Sequence, residues 1–216
     1  MPTSILTLHP QTPELRKISK VVDALKDGAI ILYPTDTGFT LGCALSNKEG
    51  IQRIRAIRRM PEGKAMTFLC PSLSNVSEFA KVSNTAYRTI KALIPGPFTF
   101  ILPASKLVPK FAQDPKRRTS GIRVPENTLS QLLLKDLDAP LISISAKAPD
   151  GSIFADPEDT VRAFASQVDI AVRSDEYEFL GESTVIDMTT DEFVIAREGA
   201  GYSRVANLLG VEGEVE

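Results

Sequence analysis

The sequence predicts a single α/β domain built on a mixed sheet with helices on its faces. Three observations lead there. Apolar runs of strand length alternate with segments of helical periodicity along most of the chain, the pattern of helices packed on a sheet. Strand-like runs then crowd the C-terminal end, which makes the sheet mixed and not purely parallel. With 216 residues, 43% hydrophobic and 24% charged, the chain is long enough to bury one large core and has neither a disordered nor a low-complexity composition.

Residues 1–11 read as a lead-in, 12–209 as the domain and 210–216 as an acidic tail whose end, Glu212 to Glu216, frays. Thr12 followed by Leu15, Ile18, Val21, Val22 and Leu25 has helical spacing, with Thr12 as N-cap and Gly28 as the stop. Ala29 to Tyr33 is an apolar run ending at Pro34, a buried strand that enters a loop. Asn47 caps a second helix carrying Ile51, Ile54 and Ile57 inward and leaving Arg55, Arg58 and Arg59 on the other side. Met66 to Cys70 reads as a strand, and Leu73 to Ala80 and Thr85 to Leu93 as helices. The Pro95-Gly96-Pro97 breaker leads into a strand over Phe98 to Leu102. Further strands fall at Ile122 to Val124, Leu141 to Ser145, Ile170 to Val172, Val185 to Met188 and Phe193 to Ala196, with helices at Leu129 to Leu137 and Glu158 to Phe164.

Several function classes drop out. No apolar window approaches membrane length and the N-terminus lacks a secretory pattern, so the expectation is a cytoplasmic protein without a membrane partner. In that reducing compartment Cys43 and Cys70 stay unpaired. With no Cys-x-x-Cys and His9 as the only histidine, neither a zinc site of nitrogen and sulfur ligands nor a triad with an internal histidine can form. His9 itself reads as a solvated lead-in residue.

The formal net charge of −2 hides an uneven distribution. Arg53, Arg55, Arg58, Arg59 and Lys64 face only Glu62 between positions 52 and 64, and Lys106, Lys110, Lys116, Arg117, Arg118 and Arg123 face only Asp114 between 106 and 123. Beyond Val168 acids predominate. Such clusters indicate a localised anion site, although an arginine-rich exposed helix face explains either one alone equally well. There is no Walker sequence, and Gly199-Ala200-Gly201 lacks the third glycine of a dinucleotide turn. What remains are hydroxyl-rich loops at strand ends: Pro34-Thr35-Asp36-Thr37-Gly38, Ser143-Ile144-Ser145-Ala146-Lys147 and Glu182-Ser183-Thr184. Hydroxyls beside backbone amides hold carboxylate and phosphate oxygens while arginines neutralise them. The same residues also suit turns, and Asp36 fits either a turn-forming role or a hold on a metal or ordered water.

Taken in order, six blocks resemble one family. Pro34 to Gly42 (PTDTGFTLG) is similar to its signature. Pro95 to Leu102 (PGPFTFIL), Gly121 to Pro125 (GIRVP), Ser143 to Ala146 (SISA), Ser183 to Asp187 (STVID) and Arg197 to Gly199 (REG) follow in register. The chain is identified as a member of the YrdC-like family, with details similar to its YciO branch. The resemblance implies one twisted α/β domain with a concave basic cavity and no further C-terminal domain. It implies formation of threonylcarbamoyl-AMP from threonine, bicarbonate and ATP with Mg²⁺, toward the threonylcarbamoyl modification of an adenosine in certain tRNAs. Some members are described as binding double-stranded RNA.

Carried over by position, the resemblance implies that Thr37, Arg123 and Ser183 contact threonine and that Arg58, Lys64, Thr119, Ser145 and Arg197 contact ATP. No side-chain nucleophile is assigned. Arg55, Arg59, Lys116, Arg117 and Arg118 are the residues for RNA. Departures from the family pattern are Met60 in place of an arginine near the triphosphate, Lys147 in place of an asparagine, and Leu69 where synthases can carry a histidine. They resemble the YciO branch and set two alternatives beside the synthase: a non-catalytic module for double-stranded RNA or the ribosome, gripping phosphates through its basic segments, and carbamoyl transfer to another small metabolite.

Overall fold

Eleven strands form two mixed sheets in the computed structural model, which describes residues 3–61 and 64–210. The frayed tail expected at 212–216 lies outside the described residues. The five-stranded sheet runs β1 (Ser4–Thr7), β9 (Ile170–Arg173), β2 (Ile31–Thr35), β3 (Gly38–Gly42), β8 (Ile144–Ser145). The six-stranded sheet runs β11 (Val194–Arg197), β10 (Thr184–Asp187), β5 (Phe98–Pro103), β6 (Thr119–Arg123), β4 (Thr67–Leu69), β7 (Leu141–Ile142). The expected mixed α/β domain is present, with its strands divided between two sheets. β1 and β2 flank β9 in parallel, β2 and β3 make an antiparallel hairpin, and β5 pairs antiparallel with β6 and parallel with β10.

Alternation along the central strands explains why their sequences are apolar throughout. In β2, Ile31 and Tyr33 point into a core with α1 (Leu15–Lys26) and α5 (Thr128–Leu137), while Leu32 and the preceding Ile30 point into a larger core shared by both sheets. β4 divides its residues likewise, Leu69 to the first core and Phe68 to the second. Burial of Phe68, Phe98 and Phe100 in the shared core, each at most 1% exposed, contributes on the order of 2–3 kcal/mol apiece.

Most helix starts follow their caps. Asn47 accepts from Gly50 N–H at 2.8 Å to open α2 (Lys48–Ile57), and Ser72, Ser83, Asn127 and Asp156 cap α3 (Leu73–Phe79), α4 (Asn84–Leu93), α5 and α6 (Pro157–Phe164) in the same way. Thr12 is an exception. The first helix starts at Leu15, and Thr12 instead gives its backbone N–H to the ring of exposed His9 at 3.0 Å, closing a turn ahead of the helix. Gly28 does end that helix, at φ +93°.

Other differences follow from tertiary pairing. Pro34 does not end a strand: it lies inside β2 opposite Phe39, at a position where its missing N–H costs the ladder little. The run Leu141 to Ser145 is not one strand. Ser143 gives its N–H to Thr67 O at 2.9 Å, and the chain there leaves the six-stranded sheet and joins β3 of the other. The lead-in contributes the edge strand β1, and α7 (Tyr202–Leu209), which begins after Gly201 and has no side-chain cap to announce it, completes the fold.

Cys43 and Cys70 are free and fully buried, and burial pushes the Cys43 thiol up to about 12 and the Cys70 thiol higher still. Native protein at pH 8 is therefore expected to react with a thiol reagent only as it unfolds. Rapid stoichiometric labelling of either cysteine without denaturant would show the core to be open.

Candidate functional site

Between the sheets lies a polar cavity of about 480 Å³, lined from one side by Thr37, Thr40 and Ser145 and from the other by Thr67, Thr99, Thr119, Gly121, Arg123 and Arg197. All eight residues carried over for threonine and ATP line it: Thr37, Arg123 and Ser183 together with Arg58, Lys64, Thr119, Ser145 and Arg197.

The floor is built on the β2–β3 hairpin. Asp36 and Thr37 form its two-residue turn, Thr35 Oγ1 donates to Gly38 O at 2.9 Å, and Gly38 sits at φ +132°, a conformation that favours glycine. This turn aims Asp36 and Thr37 at the end of β6, where Arg123 is only 3% exposed. Arg123 Nη2 pairs with Asp36 Oδ1, Nη1 donates to Thr37 Oγ1, and Nε donates to Gly96 O at 3.4 Å. Asp36 Oδ2 accepts the Glu126 N–H at 3.2 Å, so Asp36 serves as the counter-ion of Arg123 and not as an exposed metal or water ligand. Burial pulls the guanidinium below the ordinary arginine range and the Asp36 carboxylate opposes that pull. Three of the five N–H donors of Arg123, a residue that lines the cavity, are thus engaged within the protein, and two are not.

The opposite wall comes from the loop before β10 and the end of β11. Arg197 Nε and Nη2 donate to Ser183 O at 3.1 and 2.7 Å, and Nη2 also donates to Ser183 Oγ at 3.1 Å. Ser183 Oγ is 2.8 Å from Thr99 Oγ1. Gly199 makes this approach possible, since a Cβ there would meet Glu182 O at 2.3 Å. Glu182 Oε1 lies 2.8 Å from Lys147 Nζ and 3.0 Å from Arg197 Nη1. The Lys147 hydrogen bond chiefly, with the Arg197 charge, holds the Glu182 carboxyl below the usual range against the effect of burial.

At the mouth Arg58, the C-cap of α2, donates through Nη1 to Lys147 O at 2.5 Å, and its Nε is buried with no hydrogen-bond partner among the described residues. Burial lowers its pKa. Exposed Lys64 and half-buried Met60 complete this side, so the thioether shares the cavity wall with Arg58 and Lys64. Leu69, by contrast, is fully buried on the far face of β4 and does not reach the cavity.

The residues expected to form an RNA surface are divided. Arg55 donates to the loop carbonyls Pro61 O, Lys64 O and Phe111 O and so ties the two basic segments together. Arg117 lines the cavity and pairs with Asp187 at 2.6 Å, which raises its pKa. Arg59, Lys116 and Arg118 remain exposed. Sequence reasoning missed Glu182 and Thr99 as site residues. Glu182 stands beside Ser183 in a loop singled out for its hydroxyls, and Thr99 sits within the block starting at Pro95.

A second cleft, about 530 Å³, lies on the other side of Asp36 and is lined by Pro10, Pro34, Pro95, Pro125, Tyr177 and Phe179, with Lys135 as the only cation among its lining residues. The chemistry for anions belongs to the first cavity. Among the described residues no group of three His, Cys, Asp or Glu is placed to hold a metal. The carboxylates facing the cavity, Asp114 and Glu182, are already engaged by backbone N–H groups and by cations. These residues do not fit a resident Mg²⁺. Among them, too, no helix is long and apolar enough to cross a membrane.

Comparison with known proteins adds to this geometry. The Sua5/YciO/YrdC family, described as Telomere recombination, matches residues 23–199. The Escherichia coli protein YciO, itself uncharacterized, is 40% identical over 198 residues, 90% of this chain and 94% of its own. Its crystal structure superposes with a TM-score of 0.87 and 37% identity, covering 94% of this chain and 98% of that one. A threonylcarbamoyl-AMP synthase of Vibrio vulnificus is 25% identical over 180 residues, 82% of this chain and 96% of its own. The structure of P. abyssi Sua5 complexed with L-threonine shares the fold, with a TM-score of 0.83 and 24% identity over 96% of this chain and 61% of that one.

Removing one partner of the buried pair leaves the other charge stranded. Asp36→Leu is expected to destabilise the fold by about 3–5 kcal/mol, and the double variant Asp36→Leu, Arg123→Met by clearly less than the two single variants combined. Denaturant unfolding of the four proteins checks this, and additive losses would mean that the pair is not coupled.

Proposed function

The chain belongs to the Sua5/YciO/YrdC family, which includes threonylcarbamoyl-AMP synthases, and from that premise we propose that it forms threonylcarbamoyl-AMP and pyrophosphate from threonine, bicarbonate and ATP, toward tRNA modification. The observation that carries the proposal is the convergence on one cavity of eight residues that the sequence scatters from Thr37 to Arg197. Binding of L-threonine by a relative of the same fold supports it.

In this reading the threonine amine attacks the carbon of bicarbonate and water leaves, giving a carbamate. A carbamate oxygen then attacks the α-phosphorus, and the bond from phosphorus to the pyrophosphate oxygen breaks. No protein nucleophile is required, so a cavity without histidine or accessible cysteine suits the chemistry, and positioning with charge stabilisation supplies the rate. Thr37, Ser183 and the two remaining N–H groups of Arg123 take the amino-acid carboxylate. Arg58, Lys64 and Arg197 take phosphate oxygens, with Thr119 and Ser145 donating hydroxyls. Mg²⁺ belongs to the triphosphate as part of the substrate.

Incubation with the three substrates is expected to release pyrophosphate only when threonine and bicarbonate are both present, and to yield a threonylcarbamoyl nucleotide by mass spectrometry. ATP ignored altogether, or pyrophosphate released with another amine in place of threonine, would overturn the assignment. Arg197→Ala removes charge-assisted hydrogen bonds worth about 1.5–3 kcal/mol and is expected to lower kcat/KM for ATP by about tenfold or more, whereas Lys17→Ala on the outer face of α1 has no effect. Met60→Arg, which places a guanidinium where the thioether now lines the wall, is expected to raise turnover several-fold.

A further inference from the structure

The cavity wall carries six basic side chains, and four of them are already paired with three carboxylates. Arg123 is matched to Asp36, Arg117 to Asp187, and Lys147 and Arg197 share one oxygen of Glu182. Among the described residues no carboxylate pairs with Arg58 or Lys64. Glu182 is the only one of the three acids in these pairs that itself lines the cavity, so its carboxylate stands where an incoming anion would meet Lys147 and Arg197. Its hydrogen bond from Lys147 and the nearby Arg197 charge hold it ionised at neutral pH. Lys147 and Glu182 also line an apolar annexe of about 230 Å³ with Phe39 and Phe154, so the pair stands at the junction of the two spaces.

A role in stability is a weak explanation for this arrangement. The side chains of Glu182 and Arg197 are 33% and 42% exposed, and ion pairs in such surroundings contribute about 1 kcal/mol or less. Their effect on an anionic ligand is larger, because a carboxylate between two cations competes with phosphate oxygens for their donors and charge.

We infer that Glu182 is a specificity-determining residue of the cavity: lodged between Lys147 and Arg197, and set with Asp36, Asp114 and Asp187 against the six cations, it leaves room for about two negative charges, so the site holds an adenylate or nucleoside monophosphate about as well as a triphosphate. The inference rests on the adenylate-forming reading above and adds that ATP is accommodated only as Glu182 swings toward water.

The test is calorimetric titration of the full chain and of Glu182→Gln with AMP and with ATP. The native protein is expected to bind the two nucleotides within about threefold of each other. In Glu182→Gln, ATP is expected to bind about tenfold more tightly or better, while AMP changes by less than about threefold. Glu182→Asp, one methylene shorter and unable to bridge both cations, is expected to fall between and reports the same ratio should the glutamine variant fail to fold. A native preference for ATP of about tenfold, or an ATP-to-AMP ratio unmoved by either substitution, would overturn the role of Glu182 and leave the adenylate-forming reading standing. Failure of both nucleotides to bind any of the folded proteins would overturn both, and failure of AMP alone would overturn the role of Glu182.

Discussion

The buried ion pair between Arg123 and Asp36 is the contact on which the cavity depends. Asp36 lies in the turn of a hairpin from one sheet, and Arg123 ends a strand of the other. A charge this deeply buried is tolerable only when paired and hydrogen-bonded, and here the pairing joins the two sheets at the point where a ligand would rest. Asp36 extends the tie by accepting the Glu126 N–H, and Ser130 of the following helix donates to Pro34 O at 3.2 Å. The hairpin turn, the end of β6 and the start of α5 are thereby one unit, and Thr37 gains its orientation from that unit.

Around this floor the cavity is a balance of charges and not simply a basic bowl. Each cation drawn inward needs either a carboxylate or open water, since desolvating an unpaired guanidinium is costly. Asp36, Asp187 and Glu182 meet that need at different depths: the first is buried, the second sits outside the lining, and the third faces the cavity itself. Depth decides what each acid does. A fully buried partner fixes geometry, whereas a partly exposed one can exchange with a ligand.

Much of the fold was legible in the sequence because local chemistry and global structure agree. Asn47, Ser72, Ser83 and Asn127 cap the helices that follow them, and the apolar runs at Ile31, Phe68 and Phe100 became buried strands. Misreadings fell where a distant partner overrode local preference. Thr12 is a sound cap by type but closes a turn with His9, and Ser143 interrupts an apolar run because Thr67 O takes its N–H. β1 is short and polar at its ends, so its strand character follows from pairing with β9.

For the candidate site, residue type pointed to hydroxyl-rich loops and basic clusters suited to an anion, and the family resemblance singled out Thr37, Arg123, Ser183 and Arg197 among them. The sequence also limited histidine chemistry to His9, whereas the separation of Cys43 and Cys70 from the cavity follows only from their burial. Tertiary structure alone decided which charges are free. Whether an arginine meets a ligand, a carboxylate or a loop carbonyl depends on what lies within about 3 Å of it, and Arg55, Arg117 and Arg197 met partners 56, 70 and 15 residues away in the chain. Spacing along the chain carries no record of such distances until the two sheets close on each other.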